Sequence, residues 1–276
     1  MRRILELNKT MFFLICYKLL MQRLFWIKIL LTRNKVRLGG IRKMKHQNKT
    51  INKVDIHELL TWFNPSYPIG SYAYSHGIEY AIEDGLINNS NSLHKWVRDL
   101  LIFGTGYNDS IIINTLYNSI VENNLSNFDD IVDIAYAMKP TKEISLESAQ
   151  QGISFYSIIQ EVYNSNELNS YLRRVDSKIT YPVITGIIGG YFQVEKHNLI
   201  YAYLYSFASN LLSAALRIMS IGQTEIQKII YKLKKDIEKM TMKSQKLNLS
   251  DLGSSVLFSD WSSAKHEFQY SRLFRS

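Results

Sequence analysis

The chain has 276 residues, 46% apolar and 21% charged, a globular composition with room for one domain or two small ones. Its single cysteine, Cys16, excludes an internal disulfide framework or a multi-cysteine metal centre and suits a reducing cytoplasm. The net charge of +9 would suggest nucleic acid or an anionic membrane, but residues 1–50 carry +12 and the remainder −3, which excludes a nucleic-acid function for the body.

In the N-terminal stretch, Met11 to Thr32 is apolar but broken by Lys18, Arg23 and Lys28. Its longest uncharged run, Thr10 to Tyr17, is eight residues, far short of the roughly twenty that span a bilayer. Arg2 and Arg3 ahead of an apolar run give the outline of a signal peptide, but no clean small-residue cleavage site follows. Met44 is a natural start for the body. Residues 1–43 are therefore expected to be upstream sequence read from an incorrect start, and 44–276 to form the domain. The alternative is a membrane-associated helical adaptor that uses the basic segment; no membrane contact is expected of 44–276.

Asp55 is a plausible cap for a helix over Ile56 to Phe63, which ends before Asn64-Pro65. Pro65 to Gly85 holds two of the four prolines, three glycines and four tyrosines, so it begins as a rigid turn. It becomes helical through Ile78, Ala81 and Ile82, with Gly85 at the C-cap. Ser90 or Ser92 can cap a helix through Leu93, Trp96, Val97, Leu100 and Leu101. Gly104 and Gly106 interrupt it, and Asp109 opens a run through Ile112, Ile113, Leu116 and Tyr117.

Phe128 to Met138 reads as a short helix stopped by Pro140, and a long helix follows Thr141. Leu168 to Val175 is a brief helix after the Asn164–Asn166 turn. Pro182 fits the first turn of the next helix, whose Gly186, Gly189 and Gly190 cost about 1 kcal/mol each in propensity and so imply close core packing. Asn198 to Met219 is apolar on more than one face, as a buried central helix would be. Thr224 caps a helix with Ile226, Ile229, Leu233, Ile237 and Met240 on one face and Lys228, Lys232, Lys235 and Lys239 on a solvated one. Ser244 to Lys265 reads as polar and irregular. No alternating strand pattern or repeat appears. The expectation is all-α: a single compact domain of roughly ten helices with a mobile C-terminal tail, residues 262–276.

The usual catalytic signatures are missing. There is no G-x-x-x-x-G-K-[ST] phosphate loop, no H-E-x-x-H and no G-x-S-x-G. Ser71 reads as a turn hydroxyl. His46, His57, His76, His94, His197 and His266 are scattered, with no pair at metal-ligand spacing. Glu79, Glu83 and Asp84 share one short helix and read as solvated carboxylates. What remains is an interaction module: tyrosines on a rigid turn, and a tail with Arg272 suited to a bidentate carboxylate contact beside Tyr270, Leu273 and Phe274. Such a tail is expected to be mobile alone and ordered on a partner.

The turn and the tail together resemble the urease accessory protein UreF family. The matching residues are Pro65, Pro68, Gly70, Tyr72, Ser75, Gly77 and Glu79, then His266, Glu267, Tyr270 to Phe274 and Ser276. Between them lie Glu58 to Leu60, Glu147 to Gly152 (ESAQQG), Tyr181 to Gly186 (YPVITG) and Ala215 to Ile230 (ALRIMSIGQTEIQKII). The resemblance runs from about Val54 to Ser276; at Tyr74 and His76 the chain departs from some members.

The resemblance implies a non-catalytic cytoplasmic scaffold, dimeric within its complex, that works with UreD (also called UreH), the GTPase UreG and apo-urease. Nickel and GTP would be handled by the partners, with no cofactor bound directly. It further implies that Tyr72 and Arg272 lie near each other on the surface that accepts UreG, and that UreD binding goes with ordering of the tail. Pro68, Gly70, Ser75, Glu79, Tyr270, Leu273 and Phe274 complete the expected partner-binding set.

Overall fold

The computed structural model describes residues 56–276. The extension 1–43, the start at Met44, Cys16, His46 and the Asp55 cap lie outside the described residues. Helix α1 (Ile56–Trp62) leads into the proline-rich turn, which holds a 3₁₀ turn at Ser71–Ala73, and then into α2 (Ile78–Glu83). There follow α3 (Ser90–Phe103), α4 (Thr105–Val121), α5 (Phe128–Ala137), α6 (Lys142–Tyr163), α7 (Asn166–Val175), α8 (Tyr181–Tyr191), α9 (Lys196–Ile218), α10 (Gln223–Ser244) and α11 (Leu257–His266). The described residues contain no strand and form one unit, so the all-α expectation holds.

The most extensive seam runs between α4 and α8, and glycines make it possible. A Cβ on Gly186 would lie 2.9 Å from Leu116 Cβ, and one on Gly190 would lie 2.9 Å from the Tyr117 carbonyl. These helix glycines therefore give up propensity for contact, as their spacing predicts. Helix α9 packs against α2, α3, α4 and α10. It is the one described helix long and apolar enough to cross a membrane, and half of its apolar window is buried in the domain. The buried Trp62 ring lies 5.8–6.3 Å from the rings of Phe155, Tyr163 and Phe192, which ties α1 to α6 and to the C-cap of α8. The lysine face of α10 is exposed, as expected.

Five local expectations are corrected. Asn89, not Ser90 or Ser92, caps α3; its side chain accepts from Asn91 and Ser92 N–H while Ser92 Oγ accepts from Asn89 N–H. Helix α4 begins at Thr105, so Asp109 lies inside it and is buried. Helix α9 starts at Lys196, capped by Glu195, and α10 starts after Gly222 rather than at Thr224. The stretch read as irregular contains α11. Its inward face is serine (Ser259, Ser262 and Ser263 are buried), so it packs by small size and carries no apolar period to read. Ser263 comes so near α2 that a Cβ on Gly77 would sit 2.7 Å from the Ser263 nitrogen. Gly77 also has φ +79°, a second reason for glycine there.

Candidate functional site

The site lies where the Pro65–Gly77 turn, α2, the start of α6 and the tail after α11 converge. Three features of the sequence shape it. Gly70 and Gly77 take left-handed φ of +74° and +79°, and His76 does so at +57°, which turns the chain sharply between the prolines and α2. Thr141 caps α6, accepting from Ile144 N–H at 3.2 Å, and so places Glu143 and Glu147 one helical turn apart on the same face. The serine face of α11 lets that helix settle on α2 and deliver His266 to the interior.

Three carboxylates there hold the tail. Glu79 accepts from the main-chain N–H of Leu273 at 2.6 Å and of Phe274 at 3.0 Å. Glu143 accepts from Arg272 Nη1 at 3.0 Å, and Glu147 accepts from Ser276 Oγ at 2.6 Å. Two histidines buttress them. His266, fully buried, sits 2.9 Å from Glu79 and 2.7 Å from Glu143. His76 sits 3.1 Å from Glu147 and 2.9 Å from Thr105 Oγ1. Burial pushes the Glu143 carboxyl above its ordinary range, against the opposing pull of His266 and Arg272.

The last residues also pair with the turn. Arg275 N–H donates to the Ala73 carbonyl at 2.8 Å, and Ser75 donates to the Ser276 main-chain oxygen through N–H at 2.8 Å and through Oγ at 2.5 Å. Phe274, only 4% exposed, lies under the Arg217 guanidinium of α9, 4.2 Å from the ring centroid. Burial lowers the pKa of that guanidinium. The tail, for which composition predicts order only on a partner, is thus anchored within the chain itself. The physical reason is the set of buried acceptors, which satisfies its backbone N–H groups and its arginine together.

The nine expected partner-binding residues divide into two groups. Tyr72, Arg272, Tyr270, Leu273 and Pro68 are exposed, Tyr72 by 69% and Tyr270 fully. Ser75, Glu79 and Phe274 are buried and bond within the chain, while Gly70 shapes the turn. Tyr72 lies next to Ala73, which pairs with Arg275; Arg272 itself is directed to Glu143. Glu79, read as a solvated carboxylate, is a correction: it is 6% exposed and has three partners.

Sequence reasoning missed His76, Glu143 and Glu147 as members of one cluster. The available signal was partial: Glu147 opens the matched ESAQQG and His266 the matched tail, whereas Glu143 lies outside the matched segments and at His76 the chain departs from some family members. Beside the cluster, a small cavity of about 30 Å³ is lined by His76, Glu147, Lys139, Asp109 and Tyr203, among others. Its floor is a buried pair, with Lys139 Nζ 2.7 Å from Asp109 and the Tyr203 hydroxyl donating to Asp109 at 2.6 Å. Burial, with Asp109 beside it, raises the Tyr203 hydroxyl pKa well above its ordinary value. Among the described residues, no group of three or more His, Cys, Asp or Glu is arranged to hold a metal ion.

Fold and site together define an all-helical protein that stows its own tail in a buried carboxylate cluster and displays aromatic and arginine side chains above it. The UreF family model matches residues 87–234, and this chain belongs to the UreF family. Among its relatives, the urease accessory protein UreF of Bradyrhizobium sp. strain BTAi1 is 30% identical over 84% of this chain and 97% of its own length. That of Rhodopseudomonas palustris strain BisA53 is 33% identical over 80% of this chain and 93% of its own. That of Methylorubrum populi is 33% identical over 81% of this chain and its entire own length.

Proposed function

We propose that this chain is a urease accessory protein that acts as a non-catalytic cytoplasmic scaffold. It assembles with UreD and the GTPase UreG, as a homodimer within the complex, and helps activate apo-urease by GTP-dependent building of the nickel centre. Nickel is cargo and GTP is the partner's substrate. Membership of the UreF family supports this reading. The observation that carries it is the docked tail, where an internally satisfied platform presents Tyr72, Tyr270 and Leu273 outward beside Arg272, whose partly exposed guanidinium is tied to Glu143. Exposed Tyr and Arg on a preorganised base are what a docking surface needs, because little ordering entropy remains to be lost on binding.

Tyr72→Ala and Arg272→Ala test it. Both variants should keep the helical circular dichroism of the parent, fail to co-purify with UreD and UreG, and leave urease inactive in a reconstituted activation assay. Normal urease activation by both would overturn the proposal.

A further inference from the structure

We infer that His266 is the positioning residue of the tail: bridging Glu79 and Glu143, it fixes both carboxylates where they grip the Leu273 and Phe274 amides and the Arg272 guanidinium. The inference rests on the reading of the tail as a docking surface and assigns that surface its internal control.

The geometry is that of a bridge. The imidazole is wholly shielded from solvent, and the side chains of Glu79 and Glu143 are 8% and 6% exposed. Its two nitrogens face different helices, Nε2 toward Glu79 Oε2 on α2 and Nδ1 toward Glu143 Oε2 on α6. Two such contacts need two protons, and a neutral ring carries one. Either the ring is an imidazolium or the second proton sits on Glu143, whose carboxyl burial favours holding one. In both forms the ring turns two buried acids into partners rather than neighbours that repel.

Each acid then has an oxygen left for the tail. Glu143 uses Oε1 for Arg272, and Glu79 uses Oε1 for Leu273 while sharing Oε2 with Phe274. No other described cation takes the ring's place. Arg272 is itself part of the cargo, and Lys142 is turned outward to Glu267 with 79% of its side chain exposed. Glu267 adds further negative charge beside Glu143. Without the ring, the two carboxylates lose a shared, fully desolvated hydrogen-bond partner, and the tail amides lose acceptors held in place.

The test uses the full chain and hydrogen exchange read at residues 267–276, with α4 and α8 as internal reference. Loss of charge-assisted hydrogen bonds to the tail's acceptors should speed tail exchange in His266→Ala by about tenfold or more and leave the reference helices unchanged. His266→Gln, which reaches one carboxylate at a time, should give a smaller loss. Free imidazole added to His266→Ala should restore protection, and N-methylimidazole, with one ring nitrogen blocked, should not. Tail exchange at the parent rate in either variant overturns the inference. So does equal rescue by both imidazoles, which would show the ring to be packing only. Faster tail exchange together with undiminished capture of purified UreD and UreG would uphold the bridge and overturn the docking reading instead.

Discussion

Phe274 and Leu273 are adjacent in sequence and opposite in role, and truncating each should separate anchoring from display. Phe274 is 4% exposed and lies beneath Arg217, whereas Leu273 is 63% exposed. Truncating a buried phenylalanine costs about 3–5 kcal/mol. The tail is a chain end held by a handful of contacts, so the loss should appear as local opening rather than as unfolding of the domain. Three kcal/mol corresponds to an open fraction about a hundredfold larger. Phe274→Ala should therefore expose Arg272 and Arg275 to trypsin and remove exchange protection from the Leu273 and Phe274 amides, while the thermal midpoint of the helical body changes little. Leu273→Ala should alter tail exchange hardly at all, within the roughly 0.5 kcal/mol usual for surface changes, yet weaken capture of UreD or UreG. A tail equally protected in Phe274→Ala and the parent would refute the reasoning, as would two variants that open to the same extent.

Two further outcomes concern the body. Asp109→Asn strips the charge that neutralises Lys139, whose side chain is 5% exposed. Breaking a buried pair costs about 3–5 kcal/mol, so the thermal midpoint should fall by roughly 6 °C or more, and an unchanged midpoint would dismiss the pair as a structural element. Burial, with Tyr163 adding to it, pushes the half-buried Tyr67 hydroxyl from 10.0 up to about 12. The unfolded phenol loses its proton first, so the folded state binds more protons in that window and stability falls as pH rises through it. Spectrophotometric titration of the parent against Tyr67→Phe should show one tyrosine ionising late, and the parent should lose stability relative to the variant between about pH 10 and 12.

The body's architecture could be read wherever a residue type has one physical use. Glycines at 186 and 190 inside an apolar run imply a close helix seam, and the seam is there. Proline at 182, a lysine stripe on α10 and apolar 3–4 spacing gave the right helices to within a turn. Helix α11 was hidden because serines carry no hydrophobic period; what they offer a neighbour is small size, and only the facing Gly77 shows it. The cluster was hidden for another reason. His76, Glu79, Glu143, Glu147 and His266 meet through contacts between distant segments, 187 residues apart for His266–Glu79. A glutamate on a short helix looks solvated until a distant chain segment covers it. Docking of the tail had the same cause, since its aromatic and basic composition suits an external partner and the buried acceptors within its own chain equally well.

The serine seam between α11 and α2 has a consequence for how the tail is managed. Peeling an ordinary core helix away bares hydrocarbon to water, at a cost that scales with the area exposed. Peeling α11 would part Trp261 from Tyr80, 5.4 Å away on α2, but much of what it bares is hydroxyl, and the hydroxyls of Ser259 and Ser262 have no partner among the described residues while they stay covered. Water would welcome them, so part of the cost of undocking is refunded by hydration. The fold thus puts a serine-lined joint on the segment that carries the tail, and keeps its glycine-tight α4–α8 joint for the interior of the body.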